Sequence, residues 1–343
     1  MKVWQIKDAF GIDKLTLSER PDPTPGQGQI LVRVKAVSLN YRDFMTVKNG
    51  GALGTKTPRI PCSDGAGEVT KVGPGVTRVK PGDRVASIFF QNWLSGDIVA
   101  HHFTSALGGA LDGMLAEQVV LQEDGIVSIP PYMSYEEAAT LPCAAVTSWQ
   151  ALVSKGGMKA GDTILVQGTG GVSIFALQFA VLSGARVIIT SSSDEKLARA
   201  KQLGAWATIN YKTTPEWGKE AVKLTNGAGV DHVVEVGGAG TLEQSFQAVR
   251  VGGTISLIGI LSGLGGQINP YPVLMKGLRF QGIYVGSREM FEAMNRAMGV
   301  QKVRPVIDRV FPFTQAREAL SLMESAAHFG KIVIAGERRL VSS

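Results

Sequence analysis

The strongest constraint on the fold is the alternation of strand-like and helix-like periodicity between residues 163 and 285. Residues 163–167, 186–190, 205–210, 231–236, 253–258 and 279–285 are short runs dominated by apolar side chains, the pattern of strands covered on both faces. Helical patterns lie between most of them. The one at 194–203 opens on Asp194 and Glu195 and stops at Gly204, as helix start and stop signals require. Parallel strands need long crossover connections, which helices supply. The region is therefore expected to be a doubly wound α/β domain built on a six-stranded parallel sheet.

The turn after the first of these strands reads Gly168-Thr169-Gly170-Gly171-Val172-Ser173 and leads straight into the first helix. A glycine loop carries weight in that strand-to-helix setting, where it permits a tight turn and lets a pyrophosphate lie against the positive end of the helix. Gly168, Thr169, Gly170, Gly171 and Val172 are accordingly expected to hold a dinucleotide, with Ser173 small enough for close helix–strand packing. About twenty residues on, such domains place an acid against the ribose 2′-hydroxyl when the cofactor is NAD. Here the second strand ends in Thr190-Ser191-Ser192-Ser193, followed by Asp194, Glu195 and Lys196. Hydroxyls beside a lysine suit a 2′-phosphate, so NADP(H) is expected over NAD(H), with Ser191, Ser192 and Lys196 in contact.

The first third of the chain has a different character. Residues 29–36 alternate as a half-buried strand behind the turn residues Pro23, Pro25, Gly26 and Gly28, and 67–76 and 81–86 are similar short units. The tail, 307–311, 314–325 and 331–335, reads as strand, helix and strand and is expected to return to the first domain. A chain of 343 residues is long for a single core. The expected division is 1–126 with 301–343, and 127–300. The net charge of +6 is scattered, which excludes an electrostatic footprint for nucleic acid. Two cysteines exclude a disulfide framework and point to the cytoplasm. The apolar stretch 172–182 is too short to span a membrane, and the N-terminus lacks the apolar core of a signal peptide.

Several segments jointly resemble the medium-chain dehydrogenase/reductase superfamily, in particular its zinc-independent quinone oxidoreductase-like and zinc-lacking alcohol dehydrogenase-like members. They are Gly67, Val72-Gly73, Gly75-Val76 and Pro81-Gly82-Asp83-Arg84-Val85; then Leu141-Pro142-Cys143-Ala144-Ala145-Val146-Thr147-Ser148-Trp149; the glycine loop; and Gly330-Lys331-Ile332-Val333-Ile334. The resemblance covers essentially the whole chain. It implies a GroES-like, partly open β-barrel catalytic domain with an inserted Rossmann domain, a cofactor in the cleft between them, and a homodimer joined edge to edge through the Rossmann sheets.

Zinc-dependent members of the superfamily take ligands from a Cys after an early strand, a Gly-His-Glu motif, and a later Cys or Asp. Here those positions read Asn40, Cys62-Ser63-Asp64 and Cys143. Asn40 and Ser63 cannot serve as zinc ligands, and the four-cysteine structural lobe is missing, so no metal is expected. A Cys62, Asp64 and Cys143 set is the alternative. His101 and His102 would point to opposite faces of a strand, and His232 and His328 read as structural.

Without a Lewis acid, alcohol–ketone chemistry loses its main means of holding an alkoxide. Hydride addition to a quinone or an α,β-unsaturated carbonyl spreads the charge, and hydrogen-bond donors suffice. The resemblance puts Asn40 and Tyr41 beside the nicotinamide, with Asp64 and Thr147 completing the expected catalytic group. It adds Tyr211 near the 2′-phosphate, Lys331 near the pyrophosphate, and Gly237, Gly259, Ile260, Val285, Gly286 and Ser287 at the strand ends that meet the cofactor. The expected activity is NADPH-dependent, zinc-independent reduction of a quinone or enone. A zinc-free enzyme acting on alcohols or carbonyls, and an NADPH-binding protein with vestigial activity, are the alternatives. Phe89, Phe90, Trp93 and Phe103, within 87–112, read equally as pocket lining or as core.

Overall fold

The structure is a computed structural model that describes residues 1–51, 54–263 and 265–336. Near the N-terminus β1 (Lys2–Gln5) pairs antiparallel with β2 (Thr16–Glu19). β3 (Gln29–Ser38) is the organising strand of the first unit; its apolar positions are buried and Arg33 faces solvent. α1 (Tyr41–Asn49) follows and stops at Gly50, whose φ of 86° only glycine takes readily. β3 pairs antiparallel with β4 (Asp64–Val72), β4 with β5 (Arg84–Ser87), β3 again with β6 (Gln118–Gln122), and β5 with β7 (Ile126–Ser128). α2 (Tyr135–Ala139) is capped at Ser134, which accepts from the Glu137 N–H while Glu137 accepts from the Ser134 N–H.

The chain then runs through a helical stretch in which π-type turns, Leu141–Ala145 and Gln150–Ser154, flank α3 (Val146–Trp149). Beyond it β8 (Thr163–Gln167), β9 (Arg186–Ser191), β10 (Ala207–Asn210), β11 (Val230–Glu235), β12 (Val249–Leu257) and β13 (Arg279–Gly282) make one six-stranded sheet. Its order is β10-β9-β8-β11-β12-β13 and every pairing is parallel. The connections carry α4 (Gly171–Leu182), α5 (Asp194–Gln202), α6 (Trp217–Leu224), α7 (Ala239–Ala248) and α8 (Tyr271–Met275). β8 is buried throughout, as a central strand with helices on both faces must be. The doubly wound parallel sheet expected from periodicity is the sheet found, and the strand order reverses between β8 and β11, where such folds bind ligands.

α9 (Arg288–Gln301) leads to β14 (Ile307–Phe311), α10 (Ala316–Glu324) and β15 (Lys331–Ala335). β15 lies parallel to β14 and antiparallel to β3, so the tail returns to the first unit as expected. That GroES-like sheet follows an open path, β14-β15-β3-β4-β5-β7 with β6 also on β3, rather than a closed ring. Its core gathers Trp4, Ile30, Val32, Phe44, Leu115, Phe313, Leu320 and Ile332. A separate core of Leu165, Ile188, Val233, Leu242, Phe246 and Ile255 serves the second unit.

The compact units are 1–146 with 286–343, and 147–285. Both expected boundaries, after 126 and after 300, therefore move. α2 packs on β3 and β4, and α9 packs on β7, so the chain on either side of the parallel-sheet unit belongs to the first core. A helical pattern in a sequence does not say which core its apolar face joins. Among the described residues no helix is long and apolar enough to cross a membrane.

Candidate active site

β3 delivers Asn40 to the N-cap of α1 with extended backbone. An asparagine there ordinarily accepts a hydrogen bond from the first helical turn, yet the Asn40 side chain makes no cap bond. Its Oδ1 accepts instead from Lys331 Nζ at 2.6 Å, and the same ammonium donates to the Leu39 carbonyl at 2.6 Å. The sheet explains the meeting. Val333 on β15 is in register with Ser38 on β3, which carries Lys331 alongside Asn40. Both are buried, Lys331 at 2% exposure and Asn40 at 7%. Asp43 secures the helix start in place of Asn40: its Oδ2 accepts from the Asn40 N–H at 2.9 Å and its Oδ1 pairs with Arg42 at 3.1 Å. Tyr41, between them, is 44% exposed, with its ring 5.6 Å from Phe44.

Asp64 opens β4 and is fully buried. Its Oδ1 accepts from Ser63 Oγ at 2.6 Å and its Oδ2 from the Cys143 N–H at 3.0 Å. Burial pushes this carboxyl up to about 6. The Lys331 ammonium, Ser63 and the Asn40 amide oppose that rise, and Asp43 adds to it. Cys62 is buried beside this group with φ at 71°, a left-handed backbone that residues with a Cβ rarely adopt. Burial also pushes the thiols of Cys62 and Cys143 up.

A zinc ion here would have to draw on Cys62, Asp64 and Cys143. The ion needs at least three nitrogen, thiolate or carboxylate ligands. Among the described residues no three His, Cys, Asp or Glu side chains are arranged to hold a metal. The Asn40 oxygen already holds an ammonium, whose charge opposes a second cation beside it.

In the second unit all strands run the same way, so their carboxyl ends share one edge. The loop at 168–172, Ser191 and Ser192 at the end of β9, Tyr211 after β10, Gly237 after β11, and Gly259 and Ile260 after β12 all fall there. Gly168 takes φ of 70° and its N–H donates to the Thr190 carbonyl at 2.8 Å. Gly170 is the N-cap of α4 and brings no side chain to cap it; a Cβ at this position would meet nothing within 4 Å. A helix start left uncapped beside open space fits a dinucleotide pyrophosphate. Ser173 Oγ donates to the Gln167 carbonyl at 2.6 Å and ties helix to strand. The Tyr211 N–H donates to the Ser191 carbonyl at 3.1 Å, which sets Tyr211 next to the serines, and Lys196 stands in the first turn of α5.

Other expected contacts are placed differently. Lys331 is buried under Asn40 in the first unit, with its ammonium occupied, and is not an open cation awaiting a pyrophosphate. Ser287 caps α9 by accepting from the Met290 N–H at 3.3 Å. Gly286 is required by packing, since a Cβ would come within 2.4 Å of Val146 Cγ1. Both belong to the first unit, whereas Val285 closes the second with φ of 54°, a strained conformation for a β-branched residue. Thr147 is buried in α3. His101 and His102 lie in a 3-10 turn, Ala100–Ser105, rather than on a strand, and His102 stacks on Trp93 with ring centroids 5.5 Å apart. His232 lies in β11 with Nε2 3.6 Å from Asp162. Phe89, Phe90 and Trp93 are core.

Sequence reasoning missed Glu235. Its fully buried carboxylate at the tip of β11 accepts from Gln167 Nε2, Ser245 Oγ, Thr241 Oγ1 and the N–H groups of Gly237 and Gly238. Gln167 Oε1 in turn accepts from the N–H groups of Val236 and Gly237, so the tips of β8 and β11 are laced together beside the glycine loop. An acid directly after the apolar pair Val233-Val234 and before Gly237-Gly238 was the available signal.

Residues 26–131 match the alcohol dehydrogenase GroES-like domain family and residues 171–299 the zinc-binding dehydrogenase family. A zinc-type alcohol dehydrogenase-like protein of Schizosaccharomyces pombe is 45% identical over 94% of this chain and 96% of its own. A crotonyl-CoA reductase of Streptomyces collinus is 30% identical over 96% of this chain and 83% of its own. Among solved structures, an NAD-dependent alcohol dehydrogenase superposes with a TM-score of 0.89 at 36% identity, covering 98% of this chain and 99% of the other. A mycobacterial protein complexed with NADPH superposes with a TM-score of 0.82 at 25% identity over the same shares. Likeness along nearly the whole of both chains, on the fold and glycine loop described above, makes this chain a member of the medium-chain dehydrogenase/reductase family and an NAD(P)H-dependent oxidoreductase.

Proposed function

We propose that the protein is an NADPH-dependent reductase that works without a metal and adds hydride to a conjugated acceptor, a quinone or an α,β-unsaturated carbonyl. The Asn40 amide carries this reading: its Oδ1 is held by Lys331, and its Nδ2 is buried without a well-formed hydrogen bond, although the amide lies near enough to Asp64 to favour that carboxylate. An unpaired buried donor costs about 1–3 kcal/mol, a penalty that a substrate oxygen accepting from it relieves. NADPH, when bound, supplies the hydride. Asn40 Nδ2 and the Tyr41 hydroxyl donate to the substrate oxygen as negative charge develops there. Asp64, whose carboxyl burial pushes up to about 6, suits a proton source for the α-carbon or oxygen of the enolate left after hydride adds to the β-carbon. Amide and phenol donors match the spread charge of an enolate better than the concentrated charge of an alkoxide.

The crotonyl-CoA reductase relative supports a conjugated acceptor. The two solved relatives divide on the nucleotide, and Ser191 and Ser192 at the tip of β9, where NAD enzymes carry an acid, favour the phosphate. We further infer a homodimer joined along β13. This strand ends the sheet, all four of its residues are exposed, and Tyr271, Leu274, Met275, Phe280 and Tyr284 around it are exposed apolar groups. Both cysteines are free, which suits a reducing, cytoplasmic setting.

An initial-rate screen of NADPH and NADH against 2-cyclohexenone, 1,4-benzoquinone and cyclohexanone, with metal content measured on the same sample, tests the reading. NADPH should exceed NADH in kcat/KM by about tenfold or more, and the enone or quinone should exceed the saturated ketone similarly. Preference for NADH, turnover of the saturated ketone alone, or stoichiometric zinc would each defeat it.

A further inference from the structure

We propose that Lys331 is the positioning residue of this site: its ammonium fixes the Asn40 amide with the nitrogen directed at the substrate oxygen, and supplies the positive potential that zinc-dependent relatives draw from the metal. The proposal rests on the reading of Asn40 as substrate donor. An ammonium has donors and no acceptor, so the end of the Asn40 side chain that meets Lys331 at 2.6 Å is the oxygen. Fixing the oxygen fixes the nitrogen, and that nitrogen is buried without a well-formed hydrogen bond, on the side of the amide that favours the Asp64 carboxylate.

Three further observations show that the arrangement is not ordinary packing. Lys331 is 2% exposed, and a buried ammonium is costly where a methionine would fill the same space without penalty. Asn40 forgoes the helix cap that its position offers, which leaves its oxygen for Lys331. Leu39, between β3 and α1, contributes a second acceptor, its carbonyl at 2.6 Å, so the ammonium is held by two bonds to consecutive residues. The groups facing this cluster are Asp43 and Arg42 from α1, Asp64 with Ser63 and Cys62 from the start of β4, and Cys143. Among the charges acting on Asp64, Lys331 is the leading favourable one.

The decisive comparison uses the full chain as wild type, Lys331→Met, Lys331→Arg, Asn40→Ala and the Lys331→Met, Asn40→Ala double variant. NADPH affinity is read from nicotinamide fluorescence, kcat and KM from reduction of 2-cyclohexenone, and the Asp64 carboxyl from its carbon-13 shift against pH. Lys331→Met should leave the NADPH Kd within about threefold and lower kcat by about 100-fold, while Lys331→Arg keeps about a tenth of the activity. The double variant should be little worse than either single one, because both remove the same interaction. The Asp64 midpoint should rise above about 6 in Lys331→Met and stay near it in Lys331→Arg.

A tenfold or greater loss of NADPH affinity with kcat retained would make Lys331 a phosphate clamp and overturn the proposal. Multiplicative losses in the double variant, or an Asp64 midpoint unmoved by Lys331→Met, would overturn it as well. If Lys331→Met does not fold, Lys331→Arg decides: wild-type kcat and KM in Asn40→Ala alongside an inactive Lys331→Arg would sink it. Should the wild type reduce none of the acceptors, the enone reading fails by itself, and the side-chain amide resonances of Asn40 still judge the positioning role: they should shift in Lys331→Met, and unmoved resonances would overturn it.

Discussion

Asp64 accepts from Ser63 Oγ and the Cys143 N–H, and the Asn40 amide also favours its charged form, yet burial pushes its carboxyl up to about 6 from a usual 3.8. The folded state therefore binds this proton more tightly than the unfolded chain does. The resulting stabilisation is complete below about 3.8 and is lost as pH rises through about 6, amounting to roughly 3 kcal/mol by linkage. Asp64→Asn keeps the shape and an acceptor for the Cys143 N–H without the ionisation. Its melting temperature relative to wild type should rise between pH 4 and 7 and level off above; a constant offset across that range would refute the assignment. Asn40 was legible in the sequence, because it stands where relatives place a metal ligand. Its partner was not. Lys331 lies 291 positions away and matched a phosphate-binding position by pattern alone.

At the scale of elements, the tips of β8 and β11 behave as one piece through Glu235 and Gln167. Because every partner of Glu235 is a donor, replacement by an amide turns one acceptor into a donor facing Gln167 Nε2, whose own oxygen is already pinned by Val236 and Gly237. Glu235→Gln should lower stability by about 2 kcal/mol in urea unfolding and Glu235→Ala by about 3 or more. Equal stability of Glu235→Gln and wild type would mean that the network is not strained by the exchange. The strands and the α4 and α5 helices were readable beforehand, since burial on both faces gives continuous apolar runs and caps mark helix ends. The allegiance of α2 and α9 was not, because an apolar helix face fits either core. The φ angles of Cys62 and Val285 were likewise invisible, since neither residue type signals a left-handed turn.

At the scale of the whole molecule, the exposed apolar margin around β13 carries the assembly prediction. Leu274 is 76% and Met275 61% exposed, so a Leu274→Lys, Met275→Lys variant should fold normally. Sedimentation equilibrium should give a dimer for wild type and a monomer for this variant; a variant that stays dimeric would place the interface elsewhere. The sequence by itself determined the parallel sheet, the glycine loop and the serine-lined tip of β9, because periodicity and turn chemistry act over a few neighbouring residues. Only the tertiary structure decided what the site is made of electrically. β15 lies against β3, and that pairing alone brings the Lys331 ammonium to Asn40 and close enough to influence Asp64. Charge in a buried site depends on which strands are neighbours, and strand order is settled by the packing of the whole sheet rather than by any local stretch of chain.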